Sequence, residues 1–210
     1  MQFYGQARED EYLYNNYFKE KHNGKYIELG ALDGVLYSNT KFFEDNLNWT
    51  GILIEPNIYQ YIKLKVNRPK NYLFNELVSN ITDEVDFKYF SDEYAGVSGV
   101  EKTLPLEHFT GFFNNVSAPQ GSIKLKPVTL KSIIEKTGIN HFDLLSLDVE
   151  GHEVNVLKSW DFSVPITIII IETLGGSQLD NEKLCNDILL KNNYELKETY
   201  KHNTIYKLKQ

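Results

Sequence analysis

Two rhythms of hydrophobic and polar positions alternate along this chain. Short apolar runs of strand length are separated by stretches with helical spacing. Near the start, Leu13, Tyr14, Tyr17 and Phe18 recur at i, i+1, i+4 and i+5, which predicts an amphipathic helix over 10–22, stopped by Asn23-Gly24. The run Lys25–Leu29 predicts a strand that enters Gly30-Ala31-Leu32-Asp33-Gly34. A helix follows over 38–47, with Ser38 or Asn39 as its N-cap. A strand over 51–55 closes at Pro56-Asn57, a helix over 58–66 stops ahead of Pro69, and a third strand covers 72–78.

The rhythm then changes. Val85–Phe90 and 122–128 both alternate, so each predicts a strand with one wet face, and they bracket a polar stretch from 91 to 121. Regular order resumes with a helix over 129–137, a buried strand Phe142–Leu147, a helix over 153–160 and an all-β-branched strand over 166–171. A helix Leu179–Lys191 and a hairpin of Tyr194–Tyr200 with 204–208 complete the pattern. Strands alternating with helices predict an α/β fold, a parallel sheet covered on both faces, with at least one antiparallel strand from the hairpin. No repeat or low-complexity tract divides the chain, so 1–210 reads as a single domain with a substrate-side insertion at about 91–121. In such sheets ligands bind beyond the carboxyl ends of the strands, so those ends are the place to look for chemistry.

Charge narrows the partners. The net charge is -7, and Arg8 and Arg68 are the only arginines, which argues against a nucleic-acid partner whose phosphates need a basic face. The single cysteine, Cys185, rules out intramolecular disulfides and a Cys-based metal knot. No apolar run is long enough for a membrane span, and the N-terminus lacks a signal-peptide pattern, so a reducing cytoplasm is the expected compartment.

At the strand ends, Gly30 and Gly34 let the chain turn tightly and bring backbone N–H groups near a ligand. Their spacing is not Gly-x-Gly-x-x-Gly, which removes the main support for a nicotinamide cofactor. Glu28 suits a ligand with a positive amino group. Glu55 lies 21 residues after Gly34, close to the usual offset for a carboxylate that accepts from a ribose diol. Glycine turn and acid together point to a nucleoside-containing cofactor. After Phe142–Leu147 come Asp148, Glu150, His152 and Glu153. Clustered acids there serve stability poorly, because buried carboxylates cost free energy unless paired. Glu153 is expected to face solvent or cap the next helix. Asp148 and Glu150 remain as candidates for chemistry, with His152, exposed at a helix start, as a candidate base. Asp148 with Glu172 offers oxygen ligands to a hard divalent ion, but the sequence identifies no third ligand and no metal is assigned.

Three blocks carry a family resemblance: YIELGALDG at 26–34 with Ser38-Asn39-Thr40, WTGILIEP at 49–56, and FDLLSLDVEGHEVNVL at 142–157. In their order and spacing the chain resembles the FkbM-type methyltransferases, a class I family dependent on S-adenosylmethionine (SAM). The resemblance implies a Rossmann-like, seven-stranded, mostly parallel sheet whose last strand is antiparallel. It implies that Glu28, Gly30, Asp33 and Gly34 line the methionine end of SAM, with Ala31, Ser38 and Asn39 of the same block beside them. Glu55 and Pro56 then meet the ribose, Val78 and Ser79 lie near the adenine, and Asp148 closes the cofactor site. Many class I enzymes carry an acid at the adenine turn, where this chain has Ser79-Asn80. The family's reaction implies methylation of a hydroxyl, most often on a sugar or glycan, with Asp148, Glu150 and His152 as the catalytic rim. The insertion, with Tyr94, His108, Phe109, Phe112, Phe113, Asn114 and Asn115, offers aromatic faces and amides to such an acceptor. The alternative is a non-catalytic SAM-binding module on the same fold; the intact glycine turn, Glu55 and the acidic rim favour an enzyme.

Overall fold

The computed structural model describes residues 1–90, 92–108 and 120–209. From the N-terminus run α1 (Glu9–Leu13), β1 (Lys25–Leu29), α2 (Lys41–Leu47), β2 (Thr50–Ile54), α3 (Ile58–Asn67), β3 (Tyr72–Phe74), β4 (Val85–Phe90) and β5 (Gly99–Val100). They are followed by the short turn α4 (Leu106–His108), β6 (Gln120–Leu125), α5 (Leu130–Thr137), β7 (Phe142–Leu147), α6 (Glu153–Lys158), β8 (Ile166–Glu172), α7 (Leu179–Lys191), β9 (Tyr194–Tyr200) and β10 (Asn203–Leu208).

Seven strands form one sheet in the order β3-β2-β1-β7-β8-β10-β9. Pairing is parallel from β3 to β8, and β10 inserts antiparallel between β8 and β9. Successive side chains of a strand point to opposite faces, so a sheet covered on both sides needs apolar residues at every position. β8 shows this directly. Ile169 and Ile171 join the core beneath α5, α6 and α7, whereas Ile168 and Ile170 join the core beneath α1, α2 and α3. Burying each such side chain contributes roughly 1.5–3 kcal/mol, which is why these runs fix the sheet.

The order reverses between β1 and β7, leaving a crevice at their carboxyl ends, where ligands bind in open α/β sheets. A second sheet, β5-β4-β6, stands over that crevice. Its alternation is as expected: Val85 and Phe87 are buried with Leu77 and Val100, and Asp86 and Lys88 lie nearer solvent. It is joined to the main sheet where the Ser79 N–H donates to the Val128 carbonyl (2.9 Å) and the Val128 N–H donates to the Leu77 carbonyl (2.9 Å).

Several boundaries differ from the sequence pattern. The expected helix over 10–22 is the single turn α1 followed by a wider π-type turn, Tyr14–Phe18; the chain leaves helical geometry at Lys19. Leu13 and Phe18 are buried as expected, and the Tyr12 and Tyr17 hydroxyls both donate to Glu198 on β9. The expected strand over 72–78 pairs only through Phe74, and Val78 forms an isolated bridge to Val128. Helix α2 starts at Lys41 rather than 38, because Ser38, Asn39 and Thr40 turn inward to Glu28. Among the described residues, no helix is long and apolar enough to cross a membrane.

Candidate active site

A cavity of about 410 Å³ opens at the crevice. Its floor is the ends of β1, β2, β7 and β8, through Gly30, Glu55, Asp148, Glu150 and Glu172. Its roof comes from the second sheet and the segment before it, including Phe87, Tyr94 and Val100. The described walls carry five carboxylates, Glu55, Glu76, Asp148, Glu150 and Glu172, and no lysine or arginine. Such a cavity selects ligands of positive charge.

Gly30 explains how the floor closes. Its φ is +77°, and a Cβ there would lie 1.9 Å from the Asp148 carbonyl oxygen, so the ends of β1 and β7 touch only because this side chain is absent. Gly34 serves packing instead. A Cβ at its φ of +80° would meet Leu64 and Arg68 of the α3 end, away from the cavity. Between them, Asp33 Oδ1 accepts the N–H groups of Val35 (2.9 Å) and Leu36 (2.8 Å), an Asx-type turn.

Glu28 is buried on the α2 side and does not line the cavity. It accepts from the Ser38 hydroxyl (2.9 Å), the Asn39 N–H (2.7 Å) and the Thr40 hydroxyl (2.6 Å), with the wholly buried Arg68 at 4.0 Å. Burial pushes its carboxyl up, and Arg68 and the three donors pull it back. Arg68 also binds Glu44, the Gly34 carbonyl (2.8 Å) and the Tyr26 hydroxyl (2.6 Å). Asn39 donates across to Ser146 of β7 (3.1 Å). The expectation that Glu28, Ala31, Asp33, Gly34, Ser38 and Asn39 line the cofactor is therefore corrected. Their side chains lie off the cavity wall, which this block reaches through Leu29, Gly30 and Leu32.

Glu55 and Pro56 do line it. Glu55 Oε2 accepts the Leu32 N–H (2.9 Å) and Oε1 accepts the Asn57 N–H (2.7 Å). These bonds fix the carboxylate against the glycine turn, leaving one lone pair on each oxygen for a ligand. Burial raises its pKa to about 7.

Asp148, Glu150 and Glu172 converge. One carboxylate oxygen from each lies within 4.8 Å of the other two. Glu150 Oε2 and Glu172 Oε2 are buried and have no hydrogen-bond partner among the described residues. Burial raises all three carboxyls above their ordinary range, and the charge of Asp148 adds to the rise at Glu150 and Glu172. His108 Nε2 stands 3.6 Å from Glu150 Oε2.

His152 departs from expectation. It is 1% exposed, and both ring nitrogens are engaged: Nε2 with the Ser79 hydroxyl (3.0 Å), Nδ1 with the Thr103 hydroxyl (3.0 Å) and the Asn155 amide (3.2 Å). Burial lowers its pKa to about 4, so the ring is neutral and a weak base. Ser79 likewise spends its hydroxyl on His152 and the Ile81 N–H, and Val78 alone of that pair lines the cavity. Glu153 is buried rather than solvent-facing. It accepts the Val149 (3.3 Å) and Gly151 (3.1 Å) N–H groups and the Asn181 amide (2.7 Å), and so caps the acidic loop.

The sequence pattern missed Gln6, Tyr37 and Glu76 on the cavity wall. Gly5 pairs with Tyr37 in an isolated bridge, a contact with no local signal. Tyr94 and His108 of the insertion line the cavity as expected; Phe109, Phe112, Phe113, Asn114 and Asn115 lie outside the described residues.

Fold and site together define a class I methyltransferase arrangement: an α/β sheet with an inserted antiparallel strand and an acidic crevice at its switch point. The model of the Methyltransferase FkbM domain matches residues 28–196, and the chain belongs to that family. Its cofactor is SAM. Among solved structures, the chain is similar to a TehB-like SAM-dependent methyltransferase from Corynebacterium glutamicum, with a TM-score of 0.48 and 10% identity over 99% of this chain and 89% of that one. It is also similar to a methyltransferase from Pyrococcus furiosus, with a TM-score of 0.48 and 13% identity over 100% of this chain and 89% of that one. No curated protein matches.

Proposed function

We propose that the chain is an O-methyltransferase acting on a neutral hydroxyl of the sugar or glycan class. The observation that carries this reading is the acidic cavity itself, whose floor holds the Gly30 turn and Glu55 together with the cluster of Asp148, Glu150 and Glu172. The cavity fits SAM, whose sulfonium and ammonium charges match walls that hold carboxylates and, among the described residues, no lysine or arginine.

When bound, SAM supplies a methyl group already activated by its positive sulfur. Glu55 holds the ribose diol through the lone pairs that Leu32 and Asn57 leave free. Gly30 lets the ends of β1 and β7 close up beneath the ligand, and Val78 and Pro56 flank the nucleoside. What remains for the protein is to place the acceptor oxygen in line and take charge of its proton. Asp148 and Glu150 stand at that end and are the residues assigned to it. His152 contributes as a positioning residue, tying the Ser79 turn to Thr103 of the roof. The Tyr94 to His108 segment, on the cavity wall, faces the acceptor.

Calorimetry with SAM and Glu55→Ala tests the cofactor half. Loss of two hydrogen bonds to a charged acceptor, each worth roughly 1.5–3 kcal/mol, should weaken binding at least tenfold. Methyl transfer to a panel of neutral monosaccharides and oligosaccharides tests the acceptor half; turnover on amines or nucleic acid alone would sink it.

A further inference from the structure

The three acids at the acceptor end are an unusual set to leave together. Asp148 and Glu150 follow β7 and Glu172 ends β8, so the sheet itself brings them to one point. An oxygen of each lies within 4.8 Å of the others, close enough for one ion to touch all three. The Glu150 side chain is 12% exposed, and its Oε2 is buried and accepts no hydrogen bond from the described residues; His108 Nε2 stands 3.6 Å away, beyond hydrogen-bond reach. Glu172 Oε2 likewise accepts no hydrogen bond from the described residues, although the Glu172 carboxyl shares one with Asp148. Elsewhere the molecule satisfies its buried carboxylates: Glu28, Glu55 and Glu153 have donors on both oxygens. A buried carboxylate oxygen without a donor costs free energy unless something else meets it.

We propose that Asp148, Glu150 and Glu172 form a divalent-cation site of the Mg²⁺ or Mn²⁺ class. Three carboxylate oxygens suit a hard ion, and they leave three of six octahedral positions for water and the acceptor's oxygens. A hydroxyl bound to such an ion is more acidic and releases its proton to solvent water, so Asp148 and Glu150 take charge of that proton indirectly, as ligands of the ion. A sugar diol offers two adjacent oxygens to the open positions. The placement of the acceptor rests on the proposed function; the ion site does not.

The test uses Mn²⁺ alone as the probe, followed by electron paramagnetic resonance on the full chain after exhaustive chelation, with Mg²⁺ as competitor. The expected result is one Mn²⁺ site that Mg²⁺ displaces. Glu150→Gln and Glu172→Gln should each raise its Kd by about 10–100-fold or more, the loss typical even of groups that only support a ligand. Both variants should keep a wild-type circular dichroism spectrum. No Mn²⁺ binding by the folded wild type, with or without SAM, would overturn the site, as would equal binding by wild type and both variants. SAM calorimetry on the same samples separates this from the cofactor reading: normal SAM affinity without Mn²⁺ binding removes only the ion.

Discussion

At the end of β1, Glu28 is buried among three donors with Arg68 at 4.0 Å; at the ends of β7 and β8, Glu150 and Glu172 each keep one buried oxygen that, among the described residues, accepts no hydrogen bond, with the His108 imidazole 3.6 Å from the Glu150 one. Both regions are acids after an apolar strand, and both are hidden from water. In the first, the protein supplies the compensation, so the carboxylate becomes structure. In the second, the protein offers less, a hydrogen bond shared between Asp148 and Glu172 and an imidazole near Glu150, so two oxygens stay open to a ligand and the carboxylates become a site. The difference lies in partners contributed from distant sequence, not in the acids themselves.

The comparison breaks most severely at Arg68. Arg68→Ala leaves Glu28 and Glu44 without their cation and should cost about 3–5 kcal/mol, the penalty for stripping one partner from a buried pair. Urea unfolding measures it; a loss under 1 kcal/mol would show that Glu28 is not held as described. Glu28→Gln, which keeps the side-chain shape, should lose less, about 1–3 kcal/mol.

Gly30→Ala ranks next, because it forces apart the two strand ends that the comparison spans. A Cβ 1.9 Å from the Asp148 carbonyl, at a φ of +77°, should cost about 2–4 kcal/mol and weaken SAM binding with it. Thermal unfolding and calorimetry check the two effects together. Stability falling while SAM affinity holds would separate the turn from the cofactor.

How much of this contrast the sequence carries depends on where the partners lie. The strands are legible because burial on both faces demands unbroken apolar runs, as in Ile168 to Ile171. Gly30, Glu55, Asp148 and Glu150 are legible because the sheet places every strand's end at one edge. Glu28 is not, since its partners Ser38, Thr40 and Arg68 come from a turn and a helix end that no local pattern ties to it. His152 misleads for the same reason: a histidine at a helix start looks exposed until the second sheet brings Thr103 over it. The sequence pairs Asp148 with Glu172 as oxygen ligands but does not assign Glu150 as the third; that all three meet at one point is visible only in the fold.

Glu55 lies between the two cases, with donors on both oxygens and a face on the cavity. Its pKa is raised to about 7 in the ligand-free protein, above the unfolded value, so the folded state holds the extra proton. Its ionised form, the better acceptor for ribose hydroxyls, is therefore gained as pH rises through 7 and lost below it. SAM affinity should be about tenfold weaker at pH 6 than at pH 8. Glu55→Gln should flatten that slope to whatever the ligand's own amine contributes. An equally steep dependence in the variant would assign the titration to another group.

The smallest effect has the most telling sign. Glu172→Gln, measured in chelated protein without added metal, removes one of three carboxylates that crowd within 4.8 Å and replaces it with a neutral amide of the same shape. Nothing in the described structure donates to Glu172 Oε2, and the hydrogen bond that the Glu172 carboxyl shares with Asp148 is one the amide can keep by donating. Stability should rise by about 1 kcal/mol, or roughly 2–4 °C in Tm for a chain of this size. The same exchange at Glu28 has the opposite sign, because there it discards a cation's partner. Adding Mn²⁺ should then reverse the order at the cavity, stabilising the wild type and leaving Glu172→Gln behind. If Glu172→Gln instead destabilises the chelated protein as Glu28→Gln does, the two acid groups are built alike. The cavity acids would then be part of the scaffold rather than a site awaiting a ligand.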